Sequence, residues 1–274
     1  MNDMQPPDEA DTDEADTGSA SGHRRTSSNL GRAVEILRRI GREAGTGLRL
    51  QDLVEQTGLA KATAHRLLGE LVSLDLVEYD ATSSRYHLGF GLYSLGTVAA
   101  NRFDIVELAK SVLIRLAELT EDTVYLTVRN RYESVCIDRV EGAYPLKALT
   151  TEIGMKQPLG LGAGSIALLM PLDESEVTQI IDANRAALQA HPAFDLISLR
   201  ETLRQARASG YVYRASTRVA NIGSISVPVI GPTGAAVAAI TISAVDYRLE
   251  SERRASIAAA MKEHVGVLQR QLTV

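Results

Sequence analysis

Apolar residues recur along the chain at two periods, and the switch between them divides it. From Asn29 the spacing is helical, with apolar side chains at 30, 33, 34, 36, 37 and 40. A helix is expected over 29–40, capped by Ser28 or Asn29. Gly45-Thr-Gly47 ends it, and Leu48-Arg-Leu50 is a short strand candidate. Helices are expected at 51–57, stopped by Gly58, and at 59–75, where Ala64, Leu67, Leu68, Leu71 and Val72 form the buried face. The alternating stretches 76–79 and 85–88, joined by the polar residues 80–84, predict a hairpin. Helix, short strand, helix, glycine turn, helix, hairpin is the order of a winged helix-turn-helix. Gly58 supplies the positive φ that two steeply crossing helices need, and Leu59 fills the space between them.

Past this module, 89–103 is expected to be a linker, helical from about Leu92. Residues 104–119 predict an amphipathic helix with Asp104 as N-cap. The period then shifts to strands at 123–129, 133–140 and 146–150. A loop over 154–165 leads into a helix at 164–170, and further helices are expected at 173–186 and 195–209. Strands follow at 211–216, 224–230 and 235–244, the last two joined by the Gly231–Gly234 turn. A helix over 250–271 closes the chain. The fold class is α+β, with a tail (1–22), a winged helix-turn-helix (23–88), a linker helix (89–103) and a larger mixed domain (104–274).

Composition changes this picture at a few points. With 274 residues, 45% hydrophobic and 23% charged, the chain suits one large or two medium domains. A single cysteine, Cys136, excludes an internal disulfide framework and any multi-cysteine metal site. It fits a reducing cytoplasm, and mid-strand it is expected to act as a small buried hydrophobe. The longest apolar stretch, 235–245, is shorter than the ~20 residues a bilayer requires, and the acidic N-terminus is unlike a secretory signal, so no membrane partner is expected. Residues 1–22 carry seven acids and no lysine or arginine, a composition expected to be disordered. Removing those seven from the formal charge of −5 leaves +2 for the rest, so the acidic balance does not argue against DNA binding.

Several motifs, in order, carry a resemblance. They are Arg32-Ala-Val-Glu-Ile-Leu37, Thr57-Gly-Leu-Ala-Lys-Ala-Thr-Ala-His-Arg-Leu-Leu68 and Arg85-Tyr-His-Leu-Gly89. Gly154-Met-Lys-Gln-Pro-Leu-Gly-Leu-Gly-Ala-Gly-Ser-Ile-Ala167, Ser224–Gly234 and Ala238–Ser243 complete the set. Over about residues 29–270 the chain resembles the IclR-type bacterial transcriptional regulators. The resemblance implies a GAF-like C-terminal domain, an antiparallel sheet flanked by helices with a small-molecule pocket on one face. It also implies a homo-dimer, often paired into a tetramer, with 89–103 in the dimer contact.

At the DNA end, the third helix shows Lys61, Thr63, His65 and Arg66 near its N-terminus, where a recognition helix meets base edges. Three have a plainer alternative: a solvated helix start for Lys61, simple exposure for His65, an ion pair with Asp52 or Glu55 for Arg66. Ser84 and Arg85 sit where a wing would touch the backbone or minor groove. Arg38, Arg39 and Arg42 at the first helix's end, and Arg24 and Arg25 before it, are further candidates. Residues 29–88 hold eight basic and eight acidic side chains, so one copy should bind double-stranded operator DNA modestly and several copies are expected.

At the other end, Gly160-Leu-Gly-Ala-Gly164 precedes a helix. No lysine follows in the P-loop pattern and no strand leads in as in a dinucleotide fold. Two readings stay open: loop N–H groups that receive a small anion, or close packing of loop on helix. The resemblance places Gly162 and Ala163 at positions that bond effector carboxylates in relatives. Thr241 and Ser243, two apart, share a strand face, and Ser224 lies on the partner strand. These three hydroxyls make either a polar pocket or an ordinary solvent-facing patch. Many relatives have cysteine at Ser224, an acid at Arg214 and lysine at Ser165. An Arg214 aimed into the pocket would favour an acidic ligand. Met155, with Leu146, Ile153, Leu159 and Ile222, is expected to add apolar walls suited to an aromatic or aliphatic acid. The five histidines are scattered, and no HExxH, CxxC or Gly-x-Ser-x-Gly occurs, so no catalysis, cofactor or metal is expected. Two function classes follow. One is a cytoplasmic DNA-binding regulator whose operator affinity responds to a small effector. The other is a small-molecule sensor whose helix-turn-helix makes protein contacts.

Overall fold

The computed structural model describes residues 28–43, 45–100, 105–192, 194–216 and 219–272. The tail, Arg24, Arg25 and the Asp104 cap lie outside them. The chain divides into two units between Gly96 and Thr97.

In the first unit, α1 (Asn29–Arg42), α2 (Leu50–Thr57) and α3 (Lys61–Ser73) precede the hairpin β1 (Val77–Asp80) and β2 (Arg85–Leu88). Ser28 caps α1 through Gly31 N–H. Asp52 accepts from Arg49 N–H at 3.1 Å and secures the start of α2. Gly58 ends α2 at φ 67°, in the left-handed region where glycine has no Cβ penalty. Ile36, Ile40, Leu53, Leu67, Leu68 and Leu71 then meet in one small core, with Leu59 packed against it. The strand expected at 48–50 is a single bridge, Leu48 to Tyr86, because Leu50 already begins α2. Val72 is exposed rather than buried: on a short helix the apolar stripe is satisfied by 64, 67, 68 and 71. Helix α4 (Phe90–Ala100) starts two residues before the expected Leu92. Gly89 and Gly91 let its first turn approach Asp75, whose carbonyl oxygen would lie 2.4 Å from a Cβ at residue 89.

The second unit holds α5 (Ile105–Thr120), β3 (Thr123–Asn130), β4 (Glu133–Val140), β5 (Lys156–Pro158), α6 (Ala163–Ala167), α7 (Glu174–Ala183), α8 (Arg185–Gln189), α9 (Leu196–Ser209), β6 (Val212–Ala215), β7 (Ile222–Ile230), β8 (Ala236–Val245) and α10 (Ser251–Gln271). The six strands form an antiparallel sheet in the order β5-β4-β3-β8-β7-β6. One face carries Val124, Leu126, Ile225, Val227, Ile240 and Ile242 against α5 and α10. Toward one end of the other face, Val212 and Ala239 pack with α6, α7 and α9.

Two expectations are corrected here. No strand forms at 146–150. The Tyr125 hydroxyl donates to Ala148 O at 2.7 Å and accepts from Thr150 N–H, so a side chain holds that stretch instead of a ladder. The sheet edge is β5, inside the expected loop, paired with β4. The helix expected at 173–186 breaks at Asn184, whose Nδ2 donates to Tyr132 O at 2.6 Å.

Candidate functional site

Strand alternation builds the site. Paired residues share a face, as do residues two apart. The register sets Arg214 beside Ser224 and Ser224 beside Ser243, with Ser226 beside Thr241 in the next row. Thr123 and Tyr125 of β3 continue those rows. The face opposite the apolar core is therefore a polar strip across four strands. The start of α6 lies close over it. A Cβ at Gly164 would sit 2.8 Å from Thr241 Oγ1 and 3.3 Å from Thr127 Oγ1, so glycine permits the approach.

Between strip and loop lies a hollow lined by Met155, Gly162, Ala163, Arg214, Ser224 and Thr241 among others. It holds about 80 Å³ of water-accessible space, or about 650 Å³ with its open mouth. Of the effector residues expected from sequence, Ser243 alone does not line it. It is fully buried behind the wall, with its Oγ 2.8 Å from Ser224 Oγ and 3.3 Å from Thr150 Oγ1. The expected apolar walls are corrected: of the five only Met155 lines the hollow. Leu146 and Ile153 are exposed, Leu159 is in the core under α6, and Ile222 is buried away from the cavity. Thr127, Cys136, Thr150 and Gln157 line it and were missed. The alternation of Thr123, Tyr125 and Thr127 with Val124 and Leu126 carried the signal for Thr127. Thr150 and Gln157 depend on loop conformation, which leaves no periodic trace.

The glycine loop serves both of its open readings in part. Gly160 and Gly162 have φ of 108° and 80°, and a Cβ at Gly160 would crowd Leu199 at 3.2 Å. Ser165 Oγ accepts from Gly160 N–H at 2.7 Å and donates to Pro158 O at 3.4 Å, closing the loop on itself. Arg214 dominates the electrostatics. Its Nη1 is buried with no hydrogen-bond partner among the described residues, and none of the described residues lining the cavity is an aspartate or glutamate. Burial lowers its pKa from the ordinary arginine value, and the Asp195 charge partly restores it. Burial likewise pushes the Cys136 thiol up to about 11, so it stays protonated at neutral pH.

In the first unit, Lys61, His65 and Arg66 are exposed on α3 and Thr63 is half-buried, while Ala64, Leu67, Leu68 and Leu71 face inward. Arg66 Nη1 pairs with Glu70 Oε1 at 2.5 Å, one turn on, and not with Asp52 or Glu55. Ser84 is exposed at φ 56° at the hairpin tip. Arg85 Nη1 donates to Gly47 O at 2.8 Å, tying the wing to the loop before α2. Asp80 accepts from Thr82 N–H and Ser83 Oγ. These bonds, Ser83's first, hold its carboxyl below the usual range and fix the turn. Among the described residues, no cluster of three or more His, Cys, Asp or Glu could hold a metal ion, and no helix is long and apolar enough to cross a membrane.

A winged helix-turn-helix followed by an α+β domain with a polar cavity on one sheet face is the architecture of a ligand-responsive transcription regulator. Residues 29–81 match the IclR helix-turn-helix domain, and 97–269 match the C-terminal domain of the bacterial transcriptional regulator IclR. The HTH-type transcriptional repressor AllR of Salmonella paratyphi A is 30% identical over 226 residues, 82% of each chain. A crystal structure of the Thermotoga maritima IclR superposes with a TM-score of 0.70 at 24% identity, covering 89% of this chain and 98% of that one. An IclR homologue from Microbacterium hydrocarbonoxydans, complexed with 4-hydroxybenzoate, gives 0.73 at 19% identity, covering 90% and 99%. The chain belongs to the IclR family of bacterial transcriptional regulators. That family is not an enzyme class.

Proposed function

We propose that the protein acts in the cytoplasm as a homo-dimer or tetramer on double-stranded operator DNA, and that a small carboxylate bound in the C-terminal cavity changes its DNA affinity. The carrying observation is Arg214. Its guanidinium is half-buried, with Nη1 unpartnered among the described residues and no acid among the described residues lining the hollow, so an entering anion supplies a bond that the distant charge of Asp195 does not. The family resemblance implies an acid at this position in many relatives, and an arginine in its place favours an anionic effector. The exposed start of α3 supports the DNA reading. Lys61, Thr63 and His65 meet base edges or phosphate, and Ser84 meets the backbone. Arg66 joins them by exchanging Glu70 for a phosphate, since an exposed pair of this kind holds by only about 0.5 kcal/mol. Arg85 contributes by holding the wing in place through Gly47.

The test is calorimetric titration of the full chain with a panel of small aliphatic and aromatic acids. At least one binds the native protein, and Arg214→Gln weakens it at least ten-fold while leaving thermal stability within a few degrees. Equal affinity in the variant for every acid that binds would remove the proposal.

A further inference from the structure

The hydroxyl bonds in the cavity have a polarity, and the polarity selects the ligand. A serine or threonine hydroxyl has one proton to donate and two lone pairs. Ser226 Oγ lies 3.1 Å from Ile240 O, a carbonyl that only accepts, so the Ser226 proton goes there. The 2.9 Å contact between Ser226 and Thr241 must then take its proton from Thr241. Thr241 Oγ1 is left facing the cavity with lone pairs alone. It repels a carboxylate or keto oxygen and needs a donor from the ligand. The second chain, Thr150–Ser243–Ser224, ends on no carbonyl and runs in either direction, so it accommodates donor or acceptor.

The cation lies across the sheet from this acceptor. Arg214 and Thr241 are two strands and two residues apart, roughly 12 Å between Cα atoms. The arginine side chain and a three- or four-carbon ligand fill that span between them. Nine of the eighteen described lining residues carry a hydroxyl, and among them the one aromatic ring is Tyr125, whose OH is already bonded to Ala148 O and Thr150 N–H. The lining offers an aromatic ligand little to stack on.

We propose that the effector is a non-aromatic hydroxycarboxylate of three or four carbons, its carboxylate on Arg214 and its hydroxyl donating to Thr241. This rests on the carboxylate reading above and narrows it. An amino acid would also present a donor, but no acid among the described lining residues balances its ammonium beside Arg214.

The experiment titrates the full chain with propionate, pyruvate, lactate, 3-hydroxypropionate, glycerate, alanine and benzoate, for the native protein, Thr241→Val and Arg214→Gln. A hydroxy acid should bind about ten-fold tighter than propionate and pyruvate, the size of one buried hydrogen bond left unpaired. Thr241→Val should erase that preference while leaving propionate unchanged, and Arg214→Gln should weaken every acid. If propionate or pyruvate matches the best hydroxy acid, or Thr241→Val keeps the preference, the hydroxyl assignment is overturned while Arg214-dependent binding keeps the carboxylate reading. Binding of benzoate or alanine alone overturns the assignment too. Binding of acids that ignores Arg214 overturns both, and an absence of binding across this panel overturns the hydroxycarboxylate assignment while the broader acid panel above decides the carboxylate reading.

Discussion

Cys136 illustrates how one position joins packing to site. It alternates with the strand, lies buried at the cavity wall, and keeps its thiol neutral because burial disfavours the thiolate. Its pKa rises from 9.0 to about 11 on folding. Between those values the unfolded chain sheds the thiol proton while the native one keeps it, so stability falls as pH rises. Urea melts should show the native chain losing on the order of 2 kcal/mol more than Cys136→Ala between pH 8.5 and 11. Parallel losses would contradict the burial argument. At this scale the sequence pointed to six of the eighteen described residues that line the cavity. Thr241 was legible because strand period two sets it on one face with Ser243, Ser224 from its place on the partner strand, and Arg214 through the family resemblance. Ser243 obeyed the same period yet ended behind the wall, since its nearest neighbours are the Ser224 and Thr150 hydroxyls. Only coordinates reveal that depth.

Among elements, periodic segments were read well and side-chain-held ones poorly. The three N-terminal helices, the Gly58 turn and both hairpins follow from spacing alone. The stretch at 146–150 has strand-like composition, but Tyr125 anchors its backbone from across the fold, and β5 takes the sheet edge. Such long-range capture has no local signature. Helix α4 is unusual in burying none of its described residues within its own chain: Phe90, Leu95 and Val98 are each more than 60% exposed. An apolar face of this kind on a linker calls for a second copy. Leu95→Glu with Val98→Glu should shift the sedimentation mass toward one chain without lowering the melting temperature. An unchanged mass would leave this face without a role in assembly.

For the whole molecule, the balance of charges sets how the parts cooperate. The helix-turn-helix module carries equal numbers of acids and bases, so a single copy gains little from phosphate attraction, and the proposed assembly of several copies would supply the affinity. A ligand can move that affinity only by as much as it distinguishes two arrangements of the protein, typically 1–3 kcal/mol. The most direct measurement is binding of the full chain to the intergenic DNA flanking its own gene, by fluorescence anisotropy over a salt series, with and without a saturating carboxylate. The expected result is preference over random duplex, log affinity falling linearly with log salt, and a shift of about 5–150-fold on adding the acid that Arg214→Gln abolishes. Equal binding to random DNA, or an affinity indifferent to every acid that occupies the cavity, would contradict the account.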